Sequence, residues 1–156
     1  MKRFFIIIIS LSFFFVSVFI AAAQKHPSKK EVIKFVEEGL KYGKKHGKEA
    51  FFKELMNDKG IFKRGELYFY AYDFKGVVVA HGSKPHLTGK NLFAMSDKKG
   101  GKPIQKMIEI CTPDGGHGWV ELYWKNPVTK KVQKKMGYVV KLDDTCWFGS
   151  GTYVDE

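Results

Sequence analysis

His81 and His86 stand five residues apart in the run LYFYAYDFKGVVVAHGSKPHLTGKN, Leu67 to Asn91, and two imidazoles this close invite a metal reading. The pair lacks the i, i+4 register of a helical zinc site, and no neighbouring carboxylate or thiolate completes a shell, so no metal is expected. Nucleophilic catalysis is served no better. Gly149-Ser150-Gly151 falls inside a strand pattern rather than on a strand-to-helix turn, where small residues let another segment approach closely. Asp143 and Asp144 are adjacent in a turn and point apart. Gly115-Gly116-His117-Gly118 could cradle an anion with its amides, but it lacks the helix and the Lys-Ser/Thr of a phosphate loop. No constellation supports an enzyme, and no cofactor is implied.

What remains is a set of residues suited to binding. Tyr68, Tyr70, Trp119, Tyr123, Trp124 and Tyr138 offer aromatic walls, and His81, His86, Lys90 and Lys135 offer donors or positive charge. Such walls with a few convergent donors suit a small organic ligand whose apolar part stacks on rings and whose carboxylate is paired. Strand alternation sets a limit: Trp119 and Tyr123 lie opposite Trp124, and Tyr138 lies opposite Lys135, so one pocket cannot hold them all.

The elements that position these residues are legible from their periods. Ser28 followed by Glu31 is a capping box, and Val32, Ile33, Val36 and Leu40 recur at helical spacing, with Gly43 and Gly47 marking where the helix weakens or ends. A shorter helix spans Glu49 to Met56. From Leu67 the period becomes two, with Leu67, Phe69 and Ala71 on one face and Tyr68, Tyr70 and Tyr72 on the other. Asp73-Phe74-Lys75-Gly76 turns the chain into a second strand, Val77 to His81. A helix from Ile104 to Ile110 precedes three more strands, His117–Trp124, about Lys134–Leu142 and Thr145–Val154. This order predicts an α+β fold: an antiparallel sheet with a long helix on one face and the segment between the second and third strands over the other.

Lys2 and Arg3 precede an apolar stretch, Phe4 to Ile20, and Ala21-Ala22-Ala23 then supplies a cleavage pattern. Residues 1–23 read as a signal peptide and residues 24–156 as one exported domain, periplasmic or secreted; the competing reading is an uncleaved anchor. Residues 1–23 hold two basic residues and no acid, so the remainder keeps 25 Lys and Arg against 16 Asp and Glu, a net charge of +9. That excess suits an anionic small ligand or a negatively charged membrane face. Nucleic acid is not an expected partner, because the lysines are scattered rather than set along one recognition helix. Cys111 and Cys146, an even pair in an oxidising compartment, invite a disulfide, the alternative being two buried free thiols.

Taken together these segments resemble the single Cache domains, extracytoplasmic sensor modules related in fold to PAS domains. The likeness rests on FYAYDFKGVVVAHGSKPHLTGKN, SDKKGGKP at Ser96 to Pro103, GWVELYWKNPVT at Gly118 to Thr129, KKMGYV at Lys134 to Val139 and WFGSGTY at Trp147 to Tyr153. It implies a long N-terminal helix packed on a five-stranded antiparallel sheet, with a ligand cavity roofed by the segment from His86 to Pro103. It further implies a sensory role in chemoreceptors or histidine kinases, and places His81, Lys90, Trp124, Lys135 and Tyr138 in or beside the pocket. Leu122 departs from the tyrosine that similar domains often carry. No output module is expected in this chain, and two readings stay open: a ligand-binding protein that works through a membrane receptor or kinase, and an interaction subunit that has lost small-molecule binding.

Overall fold

A computed structural model describes residues 26–114 and 116–154; the predicted signal segment lies outside them. Helix α1, Lys29–His46, opens on the expected capping box: Ser28 Oγ accepts from the Glu31 amide, and the Glu31 carboxylate accepts from the Ser28 amide at 2.8 Å. The helix runs through Gly43, which is buried beside Leu142 and Phe51, and stops at Gly47, whose φ of 85° favours glycine. Helix α2, Lys48–Met56, follows at once.

The strands are β1 Lys63–Arg64, β2 Leu67–Tyr68, β3 Tyr70–Asp73, β4 Val78–His81, β5 His117–Lys125, β6 Val132–Lys141 and β7 Cys146–Val154. A short 3₁₀ turn, Pro85–Leu87, and helix α3, Pro103–Cys111, lie between β4 and β5. β1 pairs with β2, and the main sheet has the antiparallel order β4-β3-β7-β6-β5. No helix among the described residues is long and apolar enough to cross a membrane.

Because β7 is central and covered on both faces, every residue from Cys146 to Tyr153 is buried. On one face α1 and α2 close over Phe35, Phe51, Phe62, Phe69 and Phe148, with Phe35 stacked on Phe69 at 4.2 Å. Each such ring contributes on the order of 2–3 kcal/mol through the area it removes from water. The other face carries Tyr68, Tyr70, Tyr72, Leu122, Val139 and Trp147 beneath Ile104 and Met107 of α3.

Three expectations are corrected. The single predicted strand from Leu67 is divided at Phe69, whose carbonyl accepts instead from the Gly82 amide at 2.8 Å. The pairing of β3 with β4 is bulged: Ala71 faces Ala80 but Tyr72 faces Val78, so Val79 is the extra residue. The predicted disulfide is absent, for Cys111 and Cys146 are both free and buried. Cys111 ends α3 within the tyrosine-lined core, whereas Cys146 opens β7 and donates to Asp143 at 3.4 Å. Burial pushes both thiols up, Cys111 to about 12 and Cys146 to about 11, so neither is a ready thiolate at neutral pH.

Candidate functional site

Between the sheet and α3 lies a cavity lined by Tyr68, Tyr70, Tyr72, His81, Ile104, Met107, Leu122, Trp124 and Lys135. The space open to a water-sized sphere is about 10 Å³, room for about one water, so the lining side chains nearly fill the site and a ligand of few heavy atoms enters only as they move aside.

The geometry of each wall follows from its strand. β2 and β3 bring Tyr68, Tyr70 and Tyr72 to the same face on either side of the break at Phe69. In β4 the bulge resets the alternation, so that Val78 and His81, three residues apart, both turn to the cavity side while Ala80 packs in the opposite core, where β4 lies against α2. Gly137 of β6 leaves the floor open, since a Cβ there would stand 2.6 Å from Tyr70 Oη and 3.3 Å from Met107. Gly151 of β7 makes room for the Lys135 stem, whose Cε would lie 2.8 Å from an added Cβ. This is the close approach expected of the small residues flanking Ser150.

Lys135 is 1% exposed, and no carboxylate pairs with it among the described residues. Its ammonium donates to Tyr68 Oη at 2.8 Å and lies 4.0, 5.2 and 5.1 Å from the ring centres of Tyr68, Tyr70 and Tyr153. An ammonium has three N–H donors, so two remain for a further acceptor. The chain of hydroxyls continues outward. Tyr68 Oη is 3.2 Å from Tyr153 Oη, which donates to the Lys125 carbonyl at 3.1 Å. Burial opposes ionisation of Tyr68, but the Lys135 charge and hydrogen bond outweigh it and draw its hydroxyl below the ordinary tyrosine range. Burial raises Tyr70 and Tyr153 well above that range.

His81 lies between the rings of Tyr68 and Trp124, with centroids 5.5 and 5.8 Å away. Burial, reinforced by the charges of Lys135 and Lys84, depresses it to about 3, so the imidazole is neutral at physiological pH. The Lys84 amide donates to Nδ1 at 3.2 Å, which places the ring proton on Nε2. Trp124 Nε1 is buried without a hydrogen-bond partner among the described residues. The polar groups around the cavity are therefore mostly donors, one of them a full positive charge, while Ile104, Met107 and Leu122 supply an apolar wall. Such a site favours an anion with a short apolar body.

Of the ten residues proposed from sequence, Tyr68, Tyr70, His81, Trp124 and Lys135 meet at this cavity. The other five do not. His86 is exposed on the 3₁₀ turn, and Lys90 is exposed while its carbonyl accepts from the Val78 amide. Trp119 and Tyr138 pack together at 5.0 Å on the α1 face. Tyr123 sits under the ammonium groups of Lys98 and Lys99. Alternation from Trp124 and Lys135 already separated Trp119, Tyr123 and Tyr138 from the pocket. It also carried the signal for two residues that were missed, Tyr72, in phase with Tyr70, and Leu122, in phase with Trp124. Ile104 and Met107 show only the i, i+3 spacing of a helix face.

Gly137→Ala should push the Tyr70 ring into the cavity and weaken ligand binding about tenfold, an overpacking cost near 1–2 kcal/mol. Calorimetric titration of the variant measures it, and undiminished affinity would mean that the ligand does not use this floor.

Comparison with known proteins decides the family. A Cache domain model matches residues 44–156. The chain belongs to the Cache domain family. Its α1 and its five-stranded antiparallel sheet are the fold expected of that family, whereas the cavity is roofed by Ile104 and Met107 of α3 rather than by the segment from His86 to Pro103; related Cache structures are chemosensory. This Cache domain is similar to a methyl-accepting chemotaxis protein from Vibrio parahaemolyticus, at 28% identity and a TM-score of 0.70 over 81% of this chain and 88% of that one. It also shares its fold, at a TM-score of 0.60 and 23% identity over 78% and 85% of the two chains, with a Cache chemosensory domain solved for carboxylic acid recognition. Over 90 residues, 57% of this chain, it is 32% identical to the sensor histidine kinase MctS of Rhizobium johnstonii, of which it spans 19%.

Proposed function

We propose that this Cache domain is exported and acts outside the cytoplasmic membrane as the sensor for a small organic acid, working through a membrane-bound receptor or kinase. The observation that carries the reading is Lys135, a buried ammonium with two free donors and no carboxylate partner among the described residues. A buried charge without a counter-charge is costly, and a ligand carboxylate that binds it relieves that cost. The Nε2–H of His81 and the Nε1–H of Trp124 complete a donor set for the second oxygen, and Ile104, Met107 and Leu122 offer an apolar wall against which a short tail packs once these side chains move aside. The likeness to a carboxylate-recognising Cache domain and to a sensor kinase supports the same assignment.

A thermal-shift series of short carboxylates, their neutral amides and the matching amines tests it. A carboxylate at about 100 times its dissociation constant adds about 2.7 kcal/mol, a rise on the order of 10 °C for a domain of this size, while its amide adds little. Equal stabilisation by acid and amide, or by amines alone, would defeat the assignment.

A further inference from the structure

The hairpin joining β5 to β6 has a composition and a position that ligand binding does not explain. Its exposed residues are Lys125, Val128, Lys130, Lys131 and Val132, with the two valines 48% and 50% exposed. The turn is held in shape from inside. Asn126, fully buried, accepts from the Val128 amide at 2.8 Å and donates to Glu66 at 2.6 Å and to Gln133 at 2.9 Å. Lys130 adopts a φ of 63°, which fixes the reversal. The tip is thus a rigid projection carrying apolar and cationic side chains outward.

The same end of the domain receives the start of the folded chain. His26 is bound through Nδ1 to Glu66 at 2.7 Å, and Glu66 in turn holds Asn126. The apolar stretch Phe4–Ile20 ends just before, and the five residues between Ile20 and His26 reach about 20 Å at most. Val154, where β7 leaves the sheet, pairs with Lys134 at this end as well.

The hairpin itself carries a local excess of positive charge. Lys125, Lys130 and Lys131 have no carboxylate partner among the described residues, and between Lys125 and Lys135 the sequence has no acid. At the far end Asp114, Asp143 and Asp144 neutralise Lys141 and Lys48. Lysine for headgroup phosphate and valine for the interface is the pairing that an anionic bilayer surface accepts.

We propose that the Lys125–Val132 hairpin is a membrane-apposition surface, whose lysines and valines rest on anionic lipid headgroups and turn this end of the sensor toward the bilayer. The chain from residue 24, which holds every element and both cores but not the apolar stretch, is sedimented with vesicles of phosphatidylcholine alone and with about one-third phosphatidylglycerol. Binding is expected only to the anionic vesicles and is lost as salt rises from about 0.05 M to about 0.5 M. A lysine at such a surface contributes about fivefold, so Lys130→Glu with Lys131→Glu should weaken binding on the order of 25-fold or more, with the melting temperature unchanged. The pair Lys41→Glu and Lys44→Glu, on exposed α1 positions away from the hairpin, makes the same change in net charge and should leave binding intact. The proposal is overturned if neutral vesicles bind equally, if the hairpin variant binds like the parent, if the α1 variant is equally impaired, or if only a membrane protein and no lipid captures the hairpin.

Discussion

Lys135→Met is expected to remove carboxylate binding without unfolding the domain. Methionine keeps the length of the lysine stem that crosses Gly151, and it loses only the ammonium. Removing one member of a buried charge pair costs about 2–5 kcal/mol, so affinity should fall at least about 30-fold. The ligand-free protein should respond in the opposite sense. Its lysine is buried without a carboxylate, and exchanging buried ionic groups for apolar ones of similar volume is neutral or stabilising by about 1–4 kcal/mol. Tyr68 loses a donor but keeps its contact with Tyr153 at 3.2 Å. Titration calorimetry and a urea melt of the same preparation separate the two effects. A variant that binds as tightly as the parent would remove Lys135 from the site, and one that melts far below the parent would make it a structural residue instead.

The second large effect is a loss of stability in acid that belongs to His81. Burial, then the charges of Lys135 and Lys84, lowers its folded-state pKa to about 3, against about 6.5 in the unfolded chain. Between those values the unfolded state binds the proton and the folded state does not, so stability is full above about pH 6.5 and falls as pH drops toward 3. The shift corresponds to about 3 kcal/mol lost between about pH 7 and pH 4. His81→Asn removes the titrating ring and retains an acceptor for the Lys84 amide, so its urea midpoint should fall less steeply over that interval. Parallel profiles for parent and variant would show that the imidazole is not held neutral. The same neutrality keeps Nε2–H available as a donor across the physiological range.

Both effects arise from residues that the sequence offered for inspection, and the reasons they stood out are physical. Tyr68, Tyr70, Trp124 and Lys135 could be found because strand alternation decides a face, and the N-terminal helix because Ser28 and Glu31 close a capping box. His81 was found for its chemistry and not for its orientation. Only the bulge at Val79, which nothing in VVVAH announces, turns it toward the cavity alongside Val78. His86 and Lys90 carried the right chemistry in the wrong place, since the loop after β4 folds back on that strand through its backbone and leaves their side chains in solvent. The face α3 presents was equally hidden, because helical spacing gives a stripe but not the surface it covers. The cysteine pair misled for a related reason: parity and compartment speak to redox chemistry, while the two thiols are claimed by different surroundings, the roofed core and the Asp143 turn.

The most direct test of a carboxylate held by Lys135 is a crystal structure of the domain with the most stabilising acid from the thermal-shift series. One carboxylate oxygen is expected about 2.8 Å from Lys135 Nζ, the other within reach of His81 Nε2 or Trp124 Nε1, and the apolar tail against Met107 and Leu122. A ligand lying in the cavity with its carboxylate turned away from Lys135, or bound elsewhere on the domain, would contradict it.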